Sequence, residues 1–260
     1  MHFVLSPAKS LDYETPSSVD SPTRPQFLPQ SAELIDLLRA KTPRDIAALM
    51  DLSDALATLN AARYAAWSTR FTDRNSKPAV LAFDGDVYDG LQAKTLGADD
   101  LAWAQQHVSI LSGLYGVLRP LDRMQPYRLE MGTALENAHG RHLYAFWGDT
   151  LAAYLNRVVA RDPVPVIVNL ASQEYFRAAD RPVLKPRVID CVFEDWKGGK
   201  YKVISFFAKR ARGLMARHAI VNRLATPQDL ESFSSDGYAF DRGASEPHRL
   251  VFRRKLPDAA

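Results

Sequence analysis

Between Leu111 and Gly132, the charged side chains Arg119, Asp122, Arg123, Arg128 and Glu130 stand among leucines, tyrosines and methionines. Charges held in apolar surroundings must pair with one another or bind something. Two chemistries fit. Arginine–carboxylate pairing within the segment would rigidify it. Alternatively, Lys9, at the end of the first apolar run, joins Arg119, Asp122, Tyr127, Arg128 and Glu130 in an anion pocket. Those residue types can clamp an anion and move protons, which suits an enzyme acting on a nucleic acid or a phosphorylated small molecule.

A second concentration of charge runs from Lys197 to Arg223, where Lys197, Lys200, Lys202, Lys209, Arg210, Arg212, Arg217 and Arg223 occur without a single Asp or Glu. The whole chain carries a net charge of only +3, so it is this local excess that would attract a polyanion. Lys209 and Arg212 lie three apart and Arg210 and Arg217 seven apart. The charges therefore form broad rows on a helix, suited to backbone phosphates, which need positive charge but no register with bases. The competing possibility is neutralisation by acids elsewhere in the fold, of which the chain has 30.

Other chemistries lack their residues. His139 and His142 are the closest histidine pair, separated by Gly-Arg, and read as a polar turn, so no metal site and no cofactor are expected. Cys191 is the only cysteine, which excludes an intramolecular disulfide, and its place in the run Val188–Phe193 suits a buried small hydrophobe. Asp84 and Asp86 flank Gly85 in a turn. There is no G-x-S-x-G elbow and no glycine-rich phosphate loop of the G-x-G-x-x-G or G-x-x-x-x-G-K type.

The elements that must position these residues are well punctuated. Residues 14–30 are rich in Pro and Ser and predict a surface loop. Ser31 is a candidate cap for a helix presenting Leu34, Ile35, Leu37 and Leu38. Thr42-Pro43-Arg44-Asp45 starts another helix, and Ser53 recaps a third after Asp51-Leu52. That closely joined pair resembles a helix-hairpin-helix, which aims helix N-terminal amides at a phosphate, and makes Ser53 a candidate contact. Further helices are expected at 98–106, 149–161 and 208–223. Short β-branched or aromatic runs predict strands at 2–5, 79–83, 108–111, 164–170, 187–193, 202–207, 238–241 and 250–253. Pro120 and Pro126 forbid a helix over the charged segment, leaving a loop. Glu194 to Lys200, with Gly198-Gly199, reads as a hairpin. The expectation is an α+β fold, one domain over residues 1–260 with a mixed β-sheet flanked by helices.

Six strings in order, Leu5–Asp12, Phe83–Leu91, Leu111–Gly132, Tyr144–Gly148, Asn169–Phe176 and Phe206–Met215, resemble those of the YaaA peroxide stress resistance proteins, and the match covers essentially the whole chain. The resemblance implies a bacterial cytoplasmic protein that binds DNA and limits unincorporated iron under hydrogen peroxide. It also implies a helix-hairpin-helix, falling here on Pro43 to Ala61, and a positively charged cleft. On this chain the cleft would draw on Lys9, Arg119, Arg128, Lys209, Arg210, Arg212 and Arg217, with Ser53 at the hairpin. The expected partner is duplex or junction DNA, bound without sequence preference by a monomer. No apolar run reaches the length of a bilayer span, so no membrane partner is expected.

Overall fold

In the computed structural model, which describes residues 1–255 apart from 18, 20 and 161, the first apolar run forms strand β1 (His2–Leu5). All four of its residues are buried, as is required of a strand covered on both faces. Around it lie β2 (Val108–Ser112), β3 (Gly116–Leu118), β4 (Val166–Leu170), β5 (Arg187–Lys197), β6 (Lys200–Lys202), β7 (Ala239–Phe240) and β8 (Arg249–Arg254). They form one mixed sheet in the order β7-β8-β5-β4-β1-β2-β3, with β6 paired to β5. The five central strands run parallel, Leu5 standing opposite Ile110 on one side and Leu170 on the other. The β2–β3, β5–β6 and β7–β8 pairs are antiparallel.

The chain leaves β1 to build β2 on one side, then recrosses to build β4 on the other and moves outward to β5. Winding therefore reverses between β1 and β4, which opens a crevice beyond the carboxyl ends of these two strands. The sequence contains no glycine-rich phosphate loop, yet the sheet has the reversal that places ligand sites in doubly wound proteins.

The helices are α1 (Leu28–Arg39), α2 (Pro43–Met50), α3 (Asp54–Ala66), α4 (Asp86–Leu91), α5 (Ala98–His107), α6 (Thr150–Val159), α7 (Gln173–Phe176) and α8 (Ser205–Asn222), with two further short helical segments at Ala79–Ala82 and Leu143–Trp147. Thr42 caps α2 in a reciprocal capping box with Asp45. Asp51 ends α2 in the left-handed conformation, and the Ser53 hydroxyl accepts the Leu56 N–H at 3.5 Å to start α3. Helix α4 crosses α8 at two glycines. A Cβ on Gly90 would overlap the Arg210 carbonyl oxygen, and one on Gly213 the Val87 carbonyl oxygen, so only glycine permits this approach.

Three sequence expectations are corrected. The strand expected at 79–83 is largely the helical turn Ala79–Ala82, because its backbone is diverted to bond the loop carbonyls of Pro120 and Asp122. The strand expected at 202–207 ends at Lys202, and Ser205 already opens α8. Helix α1 begins a turn before Ser31, inside the expected loop; Ser31 lies within it and donates to the Phe27 carbonyl, while the Phe27 ring packs edge-on against Trp147 and Tyr154. Among the described residues, no helix is long and apolar enough to cross a membrane.

Candidate functional site

The crevice beyond β1 and β4 is a cavity of about 440 Å³. Ser6 follows β1 and Ser172 follows the end of β4. The Ser172 N–H donates to Ser6 Oγ at 2.8 Å, tying the two strand ends together. Lys9, Asp84, Asp86, Glu130, Glu174, Lys209 and Arg212 bring charge to the same walls. A second lobe, about 810 Å³, shares Ser172, Glu174, Lys209 and Arg212 with the first and extends toward Asn169 and Asp190, which are joined by a 2.8 Å hydrogen bond. Stretches far apart in sequence therefore meet at one place: the segment after β1, the turn before α4, the segment after β4 and the middle of α8.

The predicted site residues have different fates. Lys9 is exposed at the cavity wall and pairs with Glu130 at 2.9 Å, and Arg128 pairs with the other Glu130 oxygen at 3.0 Å. Tyr127 and Arg128 line a small crevice beside Lys9, and the buried Tyr127 hydroxyl bonds Ser112 Oγ at 2.6 Å. Arg119 does not line the cavity. It is bound through its side chain and its backbone N–H to Asp122, whose carboxylate also accepts the Thr23 hydroxyl at 2.5 Å. Of the pocket drawn from sequence, then, Lys9 and Glu130 lie at the cavity, Tyr127 and Arg128 behind it, and the Arg119–Asp122 pair locks the loop.

On α8, Lys209 reaches Asp86 at 3.7 Å and Arg210 reaches Asp236 at 3.6 Å. Arg217 donates to the carbonyls of Leu91 and Gln92, the C-terminal end of α4, where a cation is favoured. Ser53 is occupied as a helix cap. Arg212 differs from all of these. It lines both lobes, and its half-buried side chain has no carboxylate within 4 Å among the described residues; its buried Nε atom has no hydrogen-bond partner. Burial pulls its pKa below the ordinary arginine value, opposed by the nearby Cys191 and Asp190. Cys191 is buried against the same region, and burial raises its thiol pKa far above the usual range, as expected of an inert small hydrophobe rather than a reactive thiolate.

Sequence reasoning missed Ser6, Ser172 and Glu174. The available signal was position: each serine directly follows or closely trails a short apolar run, the end of a parallel strand where ligands bind. It also left the hairpin lysines out of the site. Lys197, Lys200 and Lys202 are exposed on β5–β6, with Lys197 directly opposite Lys200 and the exposed rings of Trp196 and Phe206 nearby in the chain. His139 and His142 lie in a turn as expected, His142 Nδ1 accepting the Ala145 N–H at 3.2 Å. Among the described residues, no group of three or more His, Cys, Asp or Glu is placed to hold a metal ion.

Fold and site together define an α+β protein with a polar crevice at the carboxyl edge of a parallel sheet, flanked by a basic hairpin. The chain belongs to the family described as peroxide stress protein YaaA, which it matches over residues 1–244. It is 63% identical over 257 residues to a UPF0246 protein of Albidiferax ferrireducens, covering 99% of both chains. It is 66% identical over 254 residues to a UPF0246 protein of Polaromonas naphthalenivorans, covering 98% of both.

Proposed function

We propose that this peroxide stress protein binds DNA in the cytoplasm, duplex or junction, as a monomer and without regard to base sequence, through the basic rim formed by the β5–β6 hairpin and the exposed side of α8. The supporting observation is the register of the hairpin. Lys197 and Lys200 stand directly across from each other, and neither has a carboxylate within ion-pair distance among the described residues. Like charges directly opposite are destabilising, so their retention on an exposed turn fits a polyanionic partner. Lys202, two residues further along the strand, is also unpaired among the described residues: the Asp195 opposite it is buried and engaged by Arg254 and Tyr238. Lys209 and Lys9, 53% and 63% exposed, extend the rim along the crevice.

The contact set thus moves away from Arg119, Arg128, Arg210, Arg217 and Ser53, which are committed within the fold, toward the hairpin. In this reading the limitation of unincorporated iron that the sequence resemblance implies follows from events on nucleic acid, not from a ferrous ligand set. Anaerobic calorimetry with ferrous iron should give no saturable heat, and a stoichiometric heat would count against it.

The direct test measures affinity for two unrelated duplexes as a function of salt. Replacing Lys197, Lys200 and Lys202 by alanine should weaken both duplexes alike and lower the slope of log K against log salt by about 1 per lysine. An unchanged slope would remove the hairpin from the interface, and salt-insensitive binding by the unaltered protein would remove the DNA proposal itself.

A further inference from the structure

Arg212 is the one cation of the predicted set that the fold leaves without an acidic or hydrogen-bonding partner among the described residues. The side chain is half-buried, its Nε is sequestered without a partner, and arginine cannot shed its charge, so the group stands ready to be matched by an anion entering the crevice. Its surroundings specify that ligand further. The guanidinium lies where the two lobes meet, beyond the strand ends joined by Ser6 and Ser172, with Lys209 beside it. Arginine's planar fork suits the oxygens of a phosphate, and a lysine nearby adds charge without geometric demand. Around this cationic point the walls are mixed: Asp84, Asp86, Glu130 and Lys9 face the first lobe, Asp190 and Arg249 face the second, and Glu174 lines both. Carboxylates accept from hydroxyl or amine donors and repel additional phosphates. A cavity of about 440 Å³ falls within the usual range for a small-molecule site.

We propose that the crevice binds a small hydroxylated molecule bearing a single phosphomonoester, with Arg212 gripping the phosphate and the surrounding carboxylates accepting from the hydroxylated body. This site is separate from the hairpin lysines proposed for DNA, although Lys209 borders both: a polymer is drawn by the exposed hairpin, whereas the small ligand is held by Arg212.

The test is calorimetry of the full chain with ribose 5-phosphate, adenosine 5′-monophosphate, inorganic phosphate and adenosine. The two phosphomonoesters should saturate a single site and bind more tightly than inorganic phosphate, and adenosine should give no saturable heat. Arg212→Gln should weaken the phosphomonoesters on the order of tenfold or more, the scale of a lost charge-assisted pair. Because Arg212→Gln also removes a half-buried charge that no carboxylate answers, its Tm without ligand should equal or exceed that of the unaltered protein, and the ligand-induced rise in Tm should disappear. The hairpin triple alanine variant should bind phosphomonoesters as the unaltered protein does. No saturable heat with either phosphomonoester, or undiminished binding by folded Arg212→Gln, would overturn the proposal. Phosphomonoesters no tighter than inorganic phosphate would reduce the site to one for the ion alone and overturn the claim of an organic ligand. None of these outcomes depends on whether DNA binds.

Discussion

Arg254 shows at the level of a single residue how this protein handles charge. It is 5% exposed and donates to Asp195 at 2.7 Å and to Asp236 at 3.0 Å, while its guanidinium packs against the rings of Phe207 and Tyr238. This arrangement ties β8 to the base of the β5–β6 hairpin and to the first turn of α8, so it holds the proposed DNA rim in place. Removing one partner of a buried pair leaves the other uncompensated, and Arg254→Met should cost about 3 kcal/mol or more in urea unfolding. A loss under 1 kcal/mol would mean that Asp195 finds water or another donor. His2 is a buried titratable group of another kind. Its Nε2 atom lies 2.7 Å from Ser109 Oγ, and burial, reinforced by the positive charges of His107 and the N-terminal ammonium and opposed by Asp162, lowers its pKa from 6.5 to about 3. The folded protein therefore keeps His2 neutral while the unfolded chain takes up a proton below pH 6.5. That contribution is fully present above the unfolded value and is lost as pH falls toward the folded one, at up to about 1.4 kcal/mol per pH unit. Between pH 6.5 and 5, His2→Gln should show a shallower loss of stability than the unaltered protein; parallel curves would show that His2 is not buried as a neutral ring.

The crossing of α4 and α8 is the element that assembles the crevice. It brings Asp86 within reach of Lys209 and sets Arg212 over the ends of β1 and β4, and it depends on Gly90 and Gly213 letting two backbones touch. A methyl group at position 213 meets a carbonyl oxygen rather than a flexible side chain, so the helices must separate. Gly213→Ala should therefore cost about 3 kcal/mol or more, the upper part of the range for overpacking, and lower Tm by roughly 6 °C or more. Phosphomonoester binding should weaken with it. A Tm within about 1 °C of the unaltered protein would show that the crossing tolerates separation. Within this scale the legible parts of the sequence were those with local signals. Thr42-Pro43-Arg44-Asp45 announced α2 through its capping box, and Gly198-Gly199 announced the hairpin between β5 and β6. Helix α8 begins three residues before the expected start at 208 and ends one before 223; Phe206-Phe207 looks like strand in the sequence, yet Phe207 packs against Arg254 and Phe206 is exposed. Ala79–Ala82 was read as strand because its four buried apolar residues carry no sign that loop carbonyls, not strands, take their N–H groups.

At the scale of the molecule, the mixed sheet followed from the alternation of short apolar runs and helices, but which strands are neighbours did not, and the crevice depends on that order. Nothing local in Ser6 or Ser172 states that β1 and β4 lie side by side, so two serines separated by most of the chain could not be seen as one site. Charge was misleading for the same reason: the acid-free segment was visible, but the acids that answer Lys209, Arg210 and Arg223 come from Asp86, Asp236 and Asp100, brought in by packing. Among the described residues, what the acid-free segment keeps without a carboxylate or carbonyl partner is the hairpin lysines and Arg212, in a chain whose net charge is only +3. A field of that size predicts moderate, salt-sensitive affinity. Because it is carried by lysines without planar donors for reading base edges, duplexes of unrelated sequence should bind within about threefold of one another, all losing affinity together as salt rises. Competition between two 20-base-pair duplexes of different composition, measured at two salt concentrations, checks this. A sequence preference above about a hundredfold would require base-edge contacts and would move the interface away from this hairpin.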